Sequence, residues 1–491
     1  MKETIAITKE ASIATKNIST VVFLKVAQYP FLALSVMLIP RMMGPKIYGE
    51  YALLISIIAI MASMLSLGVV EIFGRFVPEL EIRGESANIK RFSSNILALK
   101  SVINLIASIV LFSILQFAYG DRFPVTYFLL IVAILLVADW GTVPYALLFG
   151  LNRLGQFASR DLIRRALSLV LVVILFHYYG LFGAIMSTLL VEGSFTMLTF
   201  LWTRKYFRLE NFRVDLSFLK PYLRFGFIFY MAWGLLNFWQ RLSNPLIGYM
   251  TRDSREVALF DIPNQIFLIT VAIILFAISS FVPIFTNLLL TGKEEKLIKW
   301  SKLIIKYTGI LCMLIFWGFI FSGPDLIPII IGSEYTEIFP KGVVLLSGIF
   351  PMSFAQLGVV FSVIYKEPGK YFQALCFAFS TFLFASVLLI PKYASMGCSI
   401  ATFISCMVLA LVIGVYFREK LIPCLSDYFK VIAPGFIFVL FLFFRGSLIT
   451  NLLLVVCSVA TYILLLFACR VLNLQEIKEI FQAIRHQPEE L

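Results

Sequence analysis

Charge is scarce in this chain of 491 residues: Asp, Glu, Lys and Arg make up 14%, against 60% hydrophobic residues. A water-soluble protein of this length needs more charge to cover its surface, so a soluble globular class is excluded. Histidine is nearly absent, with only His177 and His486. The seven cysteines include no Cys-x-x-Cys pair and fall in or beside apolar runs, which leaves no pattern for zinc or a disulfide framework. There is no phosphate-binding glycine loop, no His-Glu-x-x-His and no Asp-x-x-Asp cluster on a polar connection. No connection is long enough for a soluble catalytic domain; the longest outside one, from Gly323 to Lys341, is expected to lie on the membrane surface. These absences read as a protein that is not an enzyme and holds no cofactor. ATP hydrolysis goes with them, so active transport would draw on an ion gradient, the membrane potential or a substrate gradient. The first twenty residues are polar, with Lys2, Lys9 and Lys16, so no cleavable leader is expected and the first span anchors itself.

What the chain does have is one apolar run of about twenty residues after another, the length that carries a helix across a bilayer. A membrane β-barrel would show short alternating segments instead. The fold class is therefore all-α and polytopic, with about fourteen transmembrane helices. The formal charge of +13 does not point to nucleic acid, because the positive residues sit in connections between spans. They concentrate in alternate connections, which places both termini on the cytoplasmic side of a cytoplasmic membrane. The widest basic connection carries Arg204, Lys205, Arg208, Arg213 and Lys220. It separates six spans from the next six. The expected organisation is a six-helix half over 1–203, a cytoplasmic connector over 204–223, a second half over 224–417, and an appended helix pair with a tail over 418–491.

One stretch, 40–80, organises the rest. A tight turn around Gly44-Pro45 leads into an apolar run over 52–70 that ends at Leu67-Gly68 and is expected to cross as one helix. A polar exit follows, with Phe76-Val77-Pro78 and a basic loop. Two hundred residues later Arg252-Asp253-Ser254-Arg255 opens another long run, closed by Phe281-Val282-Pro283 and a lysine-rich loop. Such a repeat is the sequence form of an internally duplicated transporter.

The candidate functional residues are the polar and ionisable groups inside the spans. Each charge there costs about 2.5–3.5 kcal/mol near the bilayer centre on insertion scales, so it needs a partner or a wet cavity. Lys25, beside Gln28 and Pro30, either snorkels to the cytoplasmic face or points into a cavity. Asn237, Gln240, Arg241 and Asn244 fall on one helical stripe, which either lines a cavity or makes internal hydrogen bonds. Asp139, Glu192 and Asp261 are candidate sites for a coupling ion, H⁺ or Na⁺. Each could equally neutralise an interior Lys or Arg.

Arg41-x-x-Gly44-Pro45-x-x-Tyr48-Gly49-x-Tyr51, then Leu67-Gly68 and Arg75-Phe76-x-Pro78-Glu79, resembles the bacterial polysaccharide transporter (O-antigen flippase) family. Pro283 with the loop over 292–299, Ile331-Gly332-Ser333-Glu334-Tyr335, and Gly397 extend the similarity along the chain. That family shares a superfamily with the lipid II flippases and the MATE drug exporters. The resemblance implies a flippase that moves an undecaprenyl-pyrophosphate-linked oligosaccharide, the repeat unit of an O-antigen, capsule or exopolysaccharide, to the outer leaflet. The residues agree with it: a cavity holding Lys25, Arg241 and Arg41 would replace the water of the pyrophosphate headgroup with cationic donors, and alternating access by rocking of the two halves is the expected mechanism. The expected partners are the lipid-linked substrate, the bilayer, glycosyltransferases and a polysaccharide polymerase, with the protein itself a monomer. Asp261 departs from the family pattern, where a neutral or aromatic residue is expected. The competing reading is a MATE-like, cation-coupled drug exporter, which would need an acidic cavity built on Asp139 and Glu192.

Overall fold

The computed structural model describes residue 24 and residues 27–473, apart from 209, 211, 280, 445 and 447. Lys25 lies outside the described residues. Among them there is helix and no strand. Among the described residues nine helical stretches are long and apolar enough to cross a bilayer. The chain forms a multi-pass membrane protein.

The elements are α1 (Gln28–Leu65), α2 (Val69–Ile82), α3 (Ser86–Tyr119), α4 (Val125–Gly150), α5 (Leu154–Thr203), α6 (Leu216–Thr251), α7 (Ser254–Ser279), α8 (Val282–Leu290), α9 (Glu294–Ile330), α10 (Ile338–Ser347), α11 (Ile349–Ile364), α12 (Pro368–Tyr416), α13 (Arg418–Ile432), α14 (Ile437–Leu442) and α15 (Leu448–Ala468). At 1.5 Å per residue, a helix the length of α5 or α12 would run about 75 Å, more than twice a hydrocarbon core. Both are broken. α5 breaks at Gly180 (φ 57°, ψ −143°) and α12 at Ala394 (φ 49°, ψ −130°). α1 breaks at Gly44 (φ 70°), where Pro45 with its preset φ starts the next segment.

The chain divides into two compact units, Met1–Asp261 and Ile262–Leu491. In the first, Ile72, Phe73 and Val77 of α2 pack on Phe92 and Ile96 of α3, Val143 and Leu147 of α4, and Leu219 of α6. Phe73 and Phe92 meet at 4.9 Å between ring centroids. In the second, Met313, Trp317 and Phe321 of α9 pack on Val431 of α13, Phe438 of α14, and Tyr462 and Leu466 of α15, with Trp317 stacked on Phe438 at 5.3 Å. The outer faces stay apolar: Leu105, Ile106, Ile109 and Phe117 of α3 are exposed. Hydrocarbon is the solvent such a face requires.

Turns repeat between the units. After α2, Gly84 (φ 72°) ends the helix with Glu85 N–H donating to Leu80 O; after α8, Gly292 (φ 70°) does so with Lys293 N–H donating to Leu288 O. After α4, Asn152 is left-handed and Arg153 N–H donates to Leu148 O; after α11, Lys366 is left-handed and Glu367 N–H donates to Ser362 O. The breaks of α5 and α12 match as well, three residues before Gly183 and Gly397 respectively. A Cβ on either of these glycines would strike the carbonyl of the residue eight before it, Leu175 or Leu389.

Two expectations differ from the structure. The run over 52–70 does not cross as one helix, because Leu67 (φ 51°) and Gly68 (φ 64°) are both left-handed and separate α1 from α2. The connection after Gly323, expected on the membrane surface, continues as α9 to Ile330 and then buries Tyr335.

Candidate functional site

All the described candidate functional residues named from the sequence lie in the first unit, and they fall into three groups. The first surrounds Asp261. Tyr48 Oη donates to Asp261 Oδ2 at 2.6 Å, and Asn244 Nδ2 donates to Asp261 Oδ1 at 2.6 Å and to Ser56 Oγ at 2.8 Å. Tyr48, Asn244 and Asp261 are all buried. This explains the turn motif. Gly44 reverses the chain, and Tyr48 is presented one turn into the new helix. Gly49 allows the backbone of Ser254 to approach so closely that a Cβ would lie 1.7 Å from its carbonyl oxygen. Arg122 closes the same corner, donating to Gly248 O at 3.1 Å and to Ser254 Oγ. Arg41, just before the break, is exposed.

The second group is a buried ion pair. Lys100 Nζ of α3 lies 2.7 Å from Asp139 Oδ1 of α4, and both side chains are 1–2% exposed. The ammonium also donates to Leu65 O at 3.0 Å and to Thr142 Oγ1 at 2.8 Å. Leu65 is the last residue of α1, so Lys100 satisfies a carbonyl that the helix end leaves without an intrahelical donor.

The third group is rich in arginine. Arg164 of α5 pairs with Glu192, across the Gly180 break, at 2.7 Å. Arg160 lies over the Tyr145 ring at 4.4 Å and 3.6 Å from Asp161, whose other oxygen accepts from Tyr145 Oη at 2.9 Å. Arg165 Nε donates to Gln28 Oε1 at 3.2 Å, and Arg241 lies on α6, which like α5 packs on α1. Neither Arg165 nor Arg241 forms an ion pair among the described residues. The stripe on α6 is graded, with Asn237 exposed, Gln240 and Arg241 half-buried, and Asn244 turned into the Asp261 group.

Two of the three acids thus neutralise interior cations, one of the alternatives open from the sequence. Their partners escaped attention there. Lys100 and Arg164 lie just inside expected spans and read as loop charges, and only the register between helices pairs them. Arg165 escaped in the same way, although two adjacent arginines at the start of a span were a visible signal. Among the described residues no group of three or more His, Cys, Asp or Glu side chains could hold a metal ion.

The fold is that of known membrane transporters. It matches lipid II flippase MurJ in an inward closed conformation with a TM-score of 0.68, 13% identity, and coverage of 92% of this chain and 100% of that one. An inward-facing MATE family multidrug transporter of the MOP superfamily matches at 0.60 and 16% identity, covering 81% of this chain and 95% of that one. A point mutant of a Vibrio cholerae MATE transporter, VcmN, matches at 0.53 and 13% identity, covering 83% and 99%. No curated protein matches the chain significantly in sequence. A family model does so over more than half its length, residues 14–289, and the chain belongs to that family, described as polysaccharide biosynthesis protein.

Proposed function

We propose that this protein is a flippase for a polyprenyl-pyrophosphate-linked oligosaccharide, moving it from the inner to the outer leaflet of the cytoplasmic membrane by alternating access. In this reading it is a transporter rather than an enzyme, with both termini cytoplasmic. The observation that carries the reading is the pair Arg165 and Arg241, half-buried on α5 and α6, both of which pack on α1, with no ion-pair partner among the described residues. Two cations so placed cost desolvation energy, and a fold keeps that arrangement where an anion is to be bound. A pyrophosphate cannot enter hydrocarbon bare, because it would lose the water around its charge. Guanidinium groups replace that water with charge-assisted donors of matching geometry. Gln28 orients Arg165, while among the described residues Glu192 pairs with Arg164 and Asp161 with Arg160. Lys25, Arg41, Asn237 and Gln240 remain candidates for contacts along the path.

The same ion pairs weigh against a cation exporter. Its acidic cavity would need Asp139 and Glu192, and each is held by a Lys or Arg at 2.7 Å. The family supports a role in polysaccharide assembly.

The test is a leaflet-access assay with the full chain in vesicles and a fluorescent polyprenyl-pyrophosphate oligosaccharide. Wild type should translocate it. Arg241→Ala and Arg165→Ala should each lose about 10–100-fold in rate at sub-saturating substrate, the equivalent of about 1.5–3 kcal/mol for a charged hydrogen bond. Full activity in the double variant would refute the cationic site. Efflux of a lipophilic cation, with no lipid translocation, would move the protein to the exporter reading.

A further inference from the structure

The Lys100–Asp139 pair is not used by an anion site, yet it is the most buried ion pair among the described residues. Asp139 is 3% exposed; its Oδ1 faces the ammonium at 2.7 Å and its Oδ2 has no hydrogen-bond partner, while the ammonium donates to Leu65 O and Thr142 Oγ1. Nor is the pair isolated. Ser93, Asn104 and Ser108 share its face of α3, all 4% exposed or less, and Ser93 Oγ, Asn104 Oδ1 and Ser108 Oγ also lack a partner. Asn104 lies one turn from Lys100, and its amide reaches the carbonyls of Leu135 and Leu136, one turn from Asp139 on α4, at 3.5 and 3.4 Å. A purely structural ion pair would be expected to have its remaining lone pairs satisfied. This one keeps a file of unsatisfied oxygens along its helix, the kind of group that ordered water satisfies and that relays a proton.

We propose that the Lys100–Asp139 pair is a proton-binding site of the transport cycle, with the incoming H⁺ taken up on Asp139 Oδ2. The proposal rests on the transport reading above and names the ion. A proton from water adds to Oδ2, giving a neutral carboxyl beside the ammonium; its release restores the ion pair, so one positive charge is gained and lost per cycle. Sodium does not fit. The position beside the carboxylate is filled by an ammonium at 2.7 Å, and a metal ion there would meet a like charge. Among the described residues neither Lys100 nor Asp139 forms an ion pair with a charged group of α1, α2, α5 or α6, the helices packed on α3 and α4. The other two acids are different. Glu192 is paired with Arg164, and Asp261 accepts from two neutral donors.

The first readout is independent of transport. Infrared difference spectra of the reconstituted full chain, taken between acid and alkaline pH, should show the carbonyl stretch of one buried carboxyl. That band should vanish in Asp139→Asn and persist in Glu192→Gln and Asp261→Asn. Because Asp139→Asn leaves an unpaired buried ammonium and could fail to fold, Lys100→Met/Asp139→Leu, which removes both charges, provides a second variant. It should also lack the band. In the vesicle assay a pH gradient should change the final leaflet distribution of the fluorescent lipid for wild type and not for the double variant, which should still equilibrate it. A band that survives in both variants, or a pH response kept in the double variant, overturns the proposal. A band that behaves as expected in a protein that flips no polyprenyl-pyrophosphate probe would leave the proton site standing and refute the flippase reading.

Discussion

At the scale of single residues, Gly49 is the position where the fold of the first unit tolerates least change. A methyl group there would lie 1.7 Å from a backbone oxygen, and backbone cannot swing aside as a side-chain tip can. Gly49→Ala should therefore force α1 and the start of α7 apart and disturb the Tyr48–Asp261 bond beside it. We expect a loss of at least about 3 kcal/mol, above the usual cost of an overpacked core, because the obstacle is main chain. Thermal unfolding in detergent would measure it, and a melting temperature within a degree or two of wild type would refute the close approach. The sequence showed this glycine as part of a motif but not what it meets, since Ser254 lies two hundred residues away. The acids tell a similar story. Asp139 and Glu192 were visible as intramembrane carboxylates, but their fate depends on Lys100 and Arg164, which pair with them only through the rotation and register of neighbouring helices. Periodicity locates a polar residue on its own helix and says nothing of what the next helix turns toward it.

At the scale of elements, the paired breaks in α5 and α12 form an internal control. The same turn is made once with Gly180 and once with Ala394, at φ values of 57° and 49°. A glycine adopts that backbone freely, whereas an alanine there is strained by about 1–3 kcal/mol. Ala394→Gly should stabilise the protein by about 1 kcal/mol after the added freedom of the unfolded chain is subtracted, and Gly180→Ala should destabilise it. Opposite shifts in unfolding temperature would verify the repeat; a fall in both would show that Ala394 is held by contacts rather than strained. Here the sequence was more informative. It showed a duplication through Phe-Val-Pro, though the more faithful repeat lies in the turn backbones, which different residues build. The segment before α6, within the connector expected over 204–223, is fastened to α3, with Arg91 pairing with Asp215 at 2.9 Å and Asn95 Oδ1 accepting the Asp215 N–H at 3.0 Å. The Ser217 hydroxyl, the Phe218 N–H and the Arg91 guanidinium hold the Asp215 carboxyl down at about 2, below its ordinary 3.8. A carboxyl depressed on folding stabilises the fold above its ordinary value and loses that contribution as pH falls through the folded one. The difference in unfolding temperature between wild type and Asp215→Ala should thus be constant from neutral pH to about pH 4, then shrink toward pH 2. A difference that disappears near neutrality would refute the assignment.

At the scale of the whole molecule, what decides direction is the charge moved across the membrane. The proposed substrate carries a pyrophosphate outward, while the arginines that hold it belong to the protein and are still there, in the same fold, for the next cycle. The net movement per turnover is then the negative charge of the headgroup, and an inside-negative potential favours it by about 2.3 kcal/mol per charge per 100 mV. That is a factor of about 50 in the leaflet ratio for each uncompensated charge. A proton taken in by the Lys100–Asp139 pair from outside and released inside would move positive charge inward and add to the same driving force, so two electrical terms of one sign act together. Vesicles holding a potassium diffusion potential, at equal pH on both sides, separate the electrical term from the pH gradient. Outward accumulation of the fluorescent lipid should rise with the potential in wild type. The Lys100→Met/Asp139→Leu protein should show a smaller slope, reduced by the one charge that the proton contributes. Equal slopes would mean that no proton moves with the lipid, and a distribution indifferent to the potential would mean that the headgroup crosses with its charge fully compensated.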